Sequence, residues 1–265
     1  MTDRAAPLTG EASADPIQAP GTPESAWRAW RGLADLPLLD PVRALPVTAG
    51  RTPRVVVVAA HPDDEVLGFG GSLALLADAG VRPVLVSVTD GEASHPGSRS
   101  PLARDLRAVR TRELDRALSR LRVRAHRSAL HLPDGRVGAH EEELTDRLAR
   151  LLEGCDLCVA PYSRDLHPDH EAAGRAALAA GAARGVPVWE YPVWSWHWAR
   201  PAEAALPWQR AARVQLPSVV SARKLAALDC FRSQLHPLGD GPGDGAILPP
   251  EELAHFQRDF EVIWQ

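Results

Sequence analysis

Short apolar runs recur along the chain, and each is followed by a polar loop and then by a segment with helical periodicity. The clearest run is the four consecutive valines at 55–58, a pattern typical of a strand buried on both faces. Alternation of such runs with helical segments predicts an α/β fold, Rossmann-like, with a mostly parallel sheet and helices on both faces. Further strands are predicted at residues 83–88, 126–132, 157–160, 187–191 and 211–216.

Helices are predicted in the intervals between these strands. Apolar residues three apart, including Trp27 and Trp30, predict an amphipathic helix over residues 24–39. Ser218 is predicted as the N-cap of a helix that runs to about residue 235. The Pro249–Pro250 pair predicts the start of a last helix. Other helices are predicted at about 68–79, 101–121, 140–153 and 171–184.

The N-terminal residues differ in composition from the rest of the chain. Residues 1–23 are rich in Pro, Ala, Gly and Thr, which predicts a mobile tail. We therefore expect an N-terminal extension over residues 1–50, made of that tail and one helix, and one α/β domain over residues 51–265.

An aromatic cluster in the second half of the chain fits either of two interpretations: a strand face packed on the core, or a wall that stacks on a sugar or acyl group. Its members are Trp189, Tyr191, Trp194, Trp196 and Trp198.

Charge and composition exclude several classes of function. The 265 residues carry a net charge of -4, which gives no electrostatic case for binding nucleic acid or an anionic membrane. The sequence shows neither an apolar run long enough to span a bilayer nor a signal peptide, so a cytoplasmic protein is expected, and an oligomer is possible. Cys155 and Cys158 are three apart at a strand entrance, so their side chains should point to opposite faces, and we expect a structural role.

Two polar loops after buried strands carry the candidate chemistry. Residues 61–65 (His-Pro-Asp-Asp-Glu) follow the valine run, and residues 165–170 (Asp-Leu-His-Pro-Asp-His) follow the run at 157–160. In open α/β sheets, ligands bind beyond the carboxyl ends of the strands, where these loops are expected to meet. Three adjacent acids repel one another, so a divalent metal is the simplest group to hold them.

The candidate metal ligands are His61 and Asp64, with His170 supplied by the second loop. Two imidazoles and one carboxylate suit Zn²⁺, one per chain, although Fe²⁺ or Co²⁺ fits the same ligands. Spacing alone does not decide which His, Asp and Glu groups of the two loops bind the metal. Three protein ligands leave a fourth position for water, whose pKa zinc lowers to about 7.

The remaining groups of the two loops suit proton transfer. Asp63 is placed to take a proton from water as general base. His167, as an imidazolium, could stabilise a developing oxyanion and then protonate a leaving amine. Asp169 or Asp165 could hold the His167 ring and raise its pKa.

These motifs resemble those of a known family. Residues 60–65, followed by Gly68 and Gly71, resemble the first signature of the LmbE-like/PIG-L zinc N-deacetylases, and residues 165–170 resemble the second. The resemblance spans roughly residues 53–236. Weaker blocks occur in the same order at Thr89-Asp90-Gly91, Arg110-x-x-Glu113, Leu132-Pro133-Asp134-Gly135 and Ser233-Gln234.

The resemblance implies roles for particular residues and an activity on N-acetylated sugars. Family members hydrolyse the N-acetyl group of GlcNAc-linked substrates. The implied zinc ligands are His61, Asp64 and His170. The implied catalytic groups are Asp63 as general base and His167 as stabiliser of the tetrahedral intermediate, with Asp169 as its partner. Arg110, Asp134 and Asp90 are the corresponding candidates for contact with the sugar or its aglycone.

Two features depart from the family pattern. Cys230-Phe231 lies where the family often has a histidine before the Ser-Gln pair, and the first fifty residues and the tryptophan cluster lie outside the common core. Both bear on the substrate. The leading hypothesis is a zinc-dependent hydrolase that removes the acetyl group from an N-acetylated amino-sugar conjugate, a small molecule.

Three alternatives remain. One is a zinc amidase of the same family that acts on another small-molecule amide. Another is a non-catalytic nucleotide-binding α/β protein, but Gly68-x-Gly70-Gly71 departs from G-x-G-x-x-G and follows an acidic loop that would repel phosphate. The third is a scaffold that binds partners through the tryptophan cluster.

Overall fold

The computed structural model describes residue 17 and residues 19–46 and 51–265. The predicted mobile tail therefore lies mostly outside the described residues. Within them, seven strands form one sheet: β1 (Val55–Ala59), β2 (Val84–Ser87), β3 (His126–Ala129), β4 (Leu157–Pro161), β5 (Val188–Tyr191), β6 (Ala211–Gln215) and β7 (Phe260–Trp264). The order across the sheet is β3-β2-β1-β4-β5-β7-β6.

The first five strands are parallel, which confirms the predicted fold class. β1 is central, and its Val56 pairs with Val84 of β2 on one side and with Cys158 of β4 on the other. β3 and β5 extend the parallel part, whereas β7 runs antiparallel to both β5 and β6. The strand order reverses between β1 and β4, so a crevice opens there at the carboxyl edge.

Ten helices connect these strands in the described part of the chain. They are α1 (Glu24–Ala29), α2 (Arg31–Ala34), α3 (Asp64–Asp78), α4 (Leu106–Leu121), α5 (Glu141–Leu151), α6 (Pro168–Arg184), α7 (Ser195–Trp198), α8 (Ser218–Leu228), α9 (Arg232–Leu235) and α10 (Pro250–Leu253). Four short 3₁₀ turns lie at Pro101–Asp105, Val137–His140, Trp208–Arg210 and Ala254–Phe256.

The core occupies both faces of the sheet. On one face, α3, α4 and α8 pack together with the N-terminal segment, whose Trp27 and Leu33 are fully or almost fully buried. On the other face, α5 and α6 cover the strands, and α6 contributes a stripe of buried alanines. The valine run of β1 contributes alternate residues to the two faces, as expected for a strand without solvent contact.

Several predicted elements are shorter than the sequence pattern indicated. The single helix predicted over residues 24–39 is two short helices, because Trp30 between them has an extended backbone. The helix predicted from Ser218 ends at Leu228, and a separate turn of helix follows after Phe231. The aromatic cluster does not continue as a strand: the chain forms α7 instead.

The prediction missed β7 altogether. The sequence pattern placed a helix from Pro249–Pro250 onwards, but α10 has only four residues. The chain then returns as a strand that enters the sheet between β5 and β6, where its five residues pair with β6. Nothing local marks a short C-terminal apolar run as an inserted strand, since its partners are distant in sequence.

The N-terminal extension packs on the same core as the domain. Leu38 bridges to Arg213 of β6, and the Leu39 N–H donates to the Arg213 carbonyl at 2.9 Å. The indole nitrogen of Trp27 donates to the Trp196 carbonyl at 2.8 Å. Residues 19–46 are therefore integral to the packing, beyond the single helix predicted there. Across the described residues, no helix combines the length and the apolar character needed to cross a membrane.

Candidate active site

Both polar loops open at the point where the strand order reverses. The loop after β1 carries His61 and Asp63 into the first turn of α3. The loop after β4 leads to His167, which caps α6 by accepting the Asp169 N–H at its Nδ1, 3.3 Å away. Since β1 and β4 are parallel neighbours, their loops meet at the carboxyl edge of the sheet.

Three side chains predicted as metal ligands converge in this crevice. His61 Nδ1 is 3.2 Å from His170 Nε2. One oxygen of Asp64 is 3.7 Å from His61 Nδ1, and the other is 3.3 Å from His170 Nε2. Ligand atoms bound at about 2.0–2.1 Å to one tetrahedral ion lie about 3.3–3.4 Å apart. His61 and His170 are thus spaced as two ligands of a single ion would be, and Asp64 presents a different oxygen to each of them.

Further donor atoms surround this set. The ligand atoms of His61, His167 and His170 lie within 4.8 Å of one another, and so do those of His61, Asp134 and Asp169. The structure therefore contains a buried group of histidines and aspartates that fits a metal ion. Nitrogen and carboxylate donors together suit zinc and the related first-row metals.

Electrostatics in the cluster favour positive charge. Burial acts to lower the pKa of His61, but hydrogen bonds to Asp134 and Asp169 outweigh it and raise that pKa to about 10. Burial likewise opposes the charge of His170, whose pKa the Asp64 carboxylate raises to about 9. Burial acts to raise the pKa of Asp64, but the adjacent His170 holds it well below its usual range. A cation is what these carboxylates stabilise, whether it is a proton or a metal ion.

Asp165 holds the ring of His170. Its Oδ2 is 2.8 Å from His170 Nδ1, the nitrogen that points away from the ligand cluster. The same carboxylate accepts the backbone N–H groups of Trp194 at 2.8 Å and Ser195 at 2.7 Å, as well as the Ser195 hydroxyl. These bonds fix the orientation of the ring and direct Nε2 towards His61 and Asp64.

Asp169 performs the corresponding task for His61. It accepts the N–H groups of Gly135 at 2.7 Å and Val137 at 3.0 Å, and its Oδ2 lies 3.3 Å from His61 Nε2. The ring of His61 is thereby oriented with Nδ1 towards His170. Sequence reasoning did not find these contacts, because they depend on where the loop after β3 meets α6.

The environment of His167 differs from the expectation. Its ring stacks on His170 with centroids 4.5 Å apart and lies edge-on to His61 at 4.8 Å. Burial lowers the pKa of His167, and the charges of His170 and His61 lower it further, to about 2. The Asp165 and Asp169 carboxylates are directed at His170 and His61 rather than at His167, which differs from the expectation that one of them holds the His167 ring.

Asp63 lies beside the ligand cluster and is held by Arg110. Arg110 Nη2 is 2.9 Å from Asp63 Oδ2, and Nη1 donates to the Gly91 carbonyl at 3.0 Å. Burial raises the pKa of Asp63, and the guanidinium only partly opposes this effect. Arg110 lines the cleft, as expected for a substrate contact, but its observed contact is with the predicted general base.

The other two candidate substrate contacts have different positions. Asp134 lines the cleft, and its Oδ1 is 3.0 Å from His61 Nε2. Asp90 is buried against Arg107 at 2.9 Å and His131 at 2.8 Å, and it is absent from the described residues that line the cleft. The structure therefore gives Asp90 a role in holding its loop rather than a place beside a ligand.

A cleft of about 760 Å³ opens over these groups. Part of its lining comes from segments that sequence reasoning did not connect with the site: residues 19–21 and 246–252, His197 and Gln234.

Different members of the aromatic cluster fit different interpretations of it. Trp194 lines the cleft, whereas Trp189, Tyr191 and Trp196 are buried in the core. Burial raises the pKa of the Cys158 thiol to about 12, in keeping with a structural cysteine.

Comparison with known proteins gives sequence relatives that are deacetylases of sugar conjugates. A 1D-myo-inositol 2-acetamido-2-deoxy-α-D-glucopyranoside deacetylase of Saccharopolyspora erythraea is 34% identical over 169 residues, which are 51% of this chain and 56% of that protein. A probable N-acetyl-α-D-glucosaminyl L-malate deacetylase of Bacillus anthracis is 30% identical over 135 residues, 48% of this chain and 58% of that protein. The chain thus spans a little over half the length of these relatives.

Solved structures share the fold. The zinc-inhibited form of teicoplanin deacetylase superposes with a TM-score of 0.60 at 22% identity, over 80% of this chain and 97% of that one. A conserved protein of Thermus thermophilus gives a TM-score of 0.51 at 28% identity, over 68% and 79% of the two chains. The family model described as GlcNAc-PI de-N-acetylase (PIG-L) matches residues 56–181, which include both polar loops. Residues 56–181, a little under half of the chain, are therefore similar to the PIG-L (LmbE-like) family.

Proposed function

We propose that this protein is a metal-dependent N-deacetylase that hydrolyses the acetamide of an N-acetylated amino-sugar conjugate. The observation that carries the proposal is the convergence of His61, Asp64 and His170 at 3.2–3.7 Å, with Asp63 beside them in one cleft. We assign the activity to residues 51–265. The names of the sequence relatives support a sugar-linked substrate.

Zinc is the metal we propose, held by those two histidines and Asp64. When bound, it supplies Lewis-acid polarisation of the amide carbonyl and makes a water molecule reactive near neutral pH. Fe²⁺ and Co²⁺ accept the same ligands, so the metal needs to be measured.

Asp63 is the proposed general base. Its carboxylate accepts a proton from the attacking water, and Arg110 keeps it in place at 2.9 Å. Burial raises the pKa of Asp63, which makes it a stronger base than an exposed aspartate. The same proton can then pass from Asp63 to the amine nitrogen as the C–N bond breaks, which leaves acetic acid and the amine. The Asp63 carboxylate is regenerated by that transfer. At neutral pH the proton of the acid passes to the amine or to solvent, so the products are acetate and an ammonium group.

His167 is the proposed donor to the oxyanion. Its Nδ1 accepts the Asp169 N–H, so in the neutral ring the proton lies on Nε2. A neutral Nε2–H can donate to a developing oxyanion without an imidazolium. This assignment replaces the imidazolium expected from the sequence, and it moves protonation of the amine to Asp63. Asp169 is proposed to act indirectly, because it orients the ring of His61.

The test is acetate release from a panel of N-acetylglucosamine conjugates and N-acetyl peptides, with the metal content of the same protein measured by mass spectrometry. We expect stoichiometric metal and turnover of the sugar conjugates only. Asp63→Asn should retain metal and lose about 10³-fold or more in kcat. A normally active Asp63→Asn variant would refute the mechanism. Turnover of peptides but not sugars would indicate the amidase alternative.

A further inference from the structure

Part of the cleft lining lies outside the family match. Three segments, at 19–21, 193–197 and 246–252, contribute to it. None of them falls within residues 56–181. The catalytic groups and the wall formed by these three segments, which we call the distal wall, therefore have separate origins in the chain.

Hydrogen bonds hold the N-terminal part of the distal wall in place. His197 Nε2 lies 2.8 Å from the Ala19 carbonyl, and the His197 carbonyl accepts the Thr22 N–H at 2.7 Å. The Thr22 hydroxyl donates to the Ala199 carbonyl at 2.5 Å and is contacted by Arg200. These bonds involve both backbone and side chains, so the segment is a built part of the cleft.

Glycine is required where this segment crosses His197. A Cβ atom at Gly21 would lie 2.3 Å from His197 Nδ1 and 3.0 Å from Glu252 Oε1. His197 Nδ1 is itself bonded to Glu252 at 2.7 Å, so neither side chain can easily withdraw. The three segments of the distal wall are therefore locked together around one histidine.

The distal wall combines apolar and acidic groups. Its apolar side chains are Ala19, Pro20, Val193, Trp194, Ala246, Ile247, Leu248 and Pro249. Its charged groups include Glu251, which is exposed, and Glu252. Among the described residues that line the cleft, Arg110 is the single Lys or Arg, and it is engaged with Asp63. An anionic group at the distal wall would meet the exposed Glu251 carboxylate and Glu252, which His197 contacts at 2.7 Å, and no unpaired Lys or Arg of the described lining.

We infer that the distal wall binds the part of the conjugate beyond the amino sugar, and that it selects a neutral or cationic aglycone with an apolar face against a carboxylate or phosphodiester. The inference rests on the proposed deacetylase function. Apolar contact with Trp194 and Leu248 stabilises the bound aglycone, and like charge at Glu251 and Glu252 disfavours an anionic one.

Three glycosides of N-acetylglucosamine with the same linkage test this selectivity: phenyl, aminomethylphenyl and carboxyphenyl. We expect kcat/KM for the carboxyphenyl glycoside to be at least about tenfold below that of the phenyl glycoside, with the aminomethylphenyl glycoside equal or better. Equal values for all three would overturn the inference and leave the proposed function intact. Hydrolysis of none of them would count against the proposed function instead.

Binding measured without turnover tests the inference about the distal wall independently of the proposed deacetylase function. The corresponding glucosamine glycosides, which lack the acetyl group, can be titrated calorimetrically against the protein. The same order of affinity is expected, with the carboxyphenyl compound weakest. A carboxyphenyl compound that binds as tightly as the phenyl compound would contradict the inference even if no glycoside is hydrolysed.

Charge reversal at the distal wall gives a matched pair of variants. Glu251→Lys should narrow the phenyl-to-carboxyphenyl ratio of kcat/KM about tenfold, because the repelling group becomes attractive. Glu142→Lys makes the same change in net charge on α5, at an exposed position outside the cleft, and should leave the ratio unaltered. An identical effect of both variants would show that net charge, not the distal wall, sets the selectivity.

Gly21→Ala tests the position of the N-terminal segment. The methyl group should push residues 19–21 away from His197 and so displace part of the distal wall. We therefore expect KM for the phenyl glycoside to rise several-fold, with little change in kcat. Gly138→Ala, where a Cβ has open space, is the control. Unchanged KM in Gly21→Ala protein of wild-type stability would contradict the proposed subsite.

Discussion

Aspartates of the two loops have different contacts, and the proposed roles follow from these differences. Asp64 faces two histidine nitrogens, whereas Asp63 faces a guanidinium and the cleft. Asp165 and Asp169 are buried, and each is directed at a ring nitrogen of His170 or His61. Under the proposed function the same residue type would supply a ligand, a base and two positioning groups.

The role of Asp165 can be tested by substitution with its neutral isostere. Asp165→Asn should weaken metal binding about 10–100-fold, because the amide no longer provides a charged acceptor that fixes the His170 tautomer. Competition with a chromophoric chelator measures the affinity without any substrate. Asp78→Asn, which alters an exposed ion pair on the far end of α3, is the control. Equal affinities of the two variants would exclude the positioning role.

Sequence reasoning predicted that His61, Asp64 and His170 lie close together, but it did not find the groups that hold them. His61, Asp64 and His170 were predictable because topology alone brings the carboxyl ends of parallel neighbours together. The partners of Asp165 and Asp169 were not, since they are backbone N–H groups at 193–195 and 135–137. Backbone donors leave no residue-type signature in a sequence.

At the scale of elements, α3 is fixed to the sheet by a buried ion pair. Lys224 of α8 lies 2.7 Å from Glu261 of β7 and donates to the Leu67 carbonyl of α3 at 2.8 Å. Glu261 also accepts the N–H groups of Gly71 and Ser72 in α3. The strand that sequence reasoning missed is thus the one that holds the helix carrying Asp64.

Gly68 explains why the glycine run in α3 need not indicate a phosphate loop. A Cβ atom there would lie 2.1 Å from the ring of Tyr191, whose hydroxyl donates to the Val58 carbonyl at 2.8 Å. The glycine permits close approach of the helix to β5 and β1. Packing against the sheet therefore accounts for a residue that the nucleotide-binding alternative would use for phosphate.

Loss of Lys224 should reduce stability strongly. Lys224→Met leaves the Glu261 carboxylate buried without its charge partner, so we expect a loss of about 3–5 kcal/mol in the free energy of unfolding. Urea denaturation measures it. Arg223→Met removes the neighbouring ion pair with the exposed Asp78 and should cost about 1 kcal/mol or less. The double variant Lys224→Met/Glu261→Gln should recover part of the loss, and a Lys224→Met variant as stable as Arg223→Met would contradict the assignment.

At the scale of the whole molecule, the two ends of the described chain meet. Glu24 in α1 binds Arg258 at 2.5 and 2.9 Å and His255 at 2.9 Å, both close to β7, and Arg28 within its own helix at 3.0 Å. The boundary predicted at residue 50 separates two parts of the sequence, but the described part of the extension shares the core and the cleft of the domain. Composition carries no information about where a Pro-rich segment docks.

Glu24 should make the contact between the two ends of the described chain sensitive to acid. Burial acts to raise its pKa, but hydrogen bonds to Arg258 and His255 lower it from 4.5 to about 2. Because the folded pKa is depressed, the stabilisation is present above the unfolded value of 4.5 and is lost as the pH falls towards 2. Between about pH 6 and about pH 3 the contribution should fall by about 1 kcal/mol, because solvent screening at this partly exposed carboxylate reduces the value of about 2 kcal/mol that the pKa shift alone would give. Glu24→Gln removes the titrating group, so the difference in free energy of unfolding between wild type and variant should shrink by about 1 kcal/mol as the pH falls from about 6 to about 3.

Urea denaturation at the two pH values measures this difference in free energy of unfolding. Glu142→Gln, at an exposed position, should show no such change, and a wild-type-to-Glu24→Gln difference independent of pH would refute the role of this carboxylate.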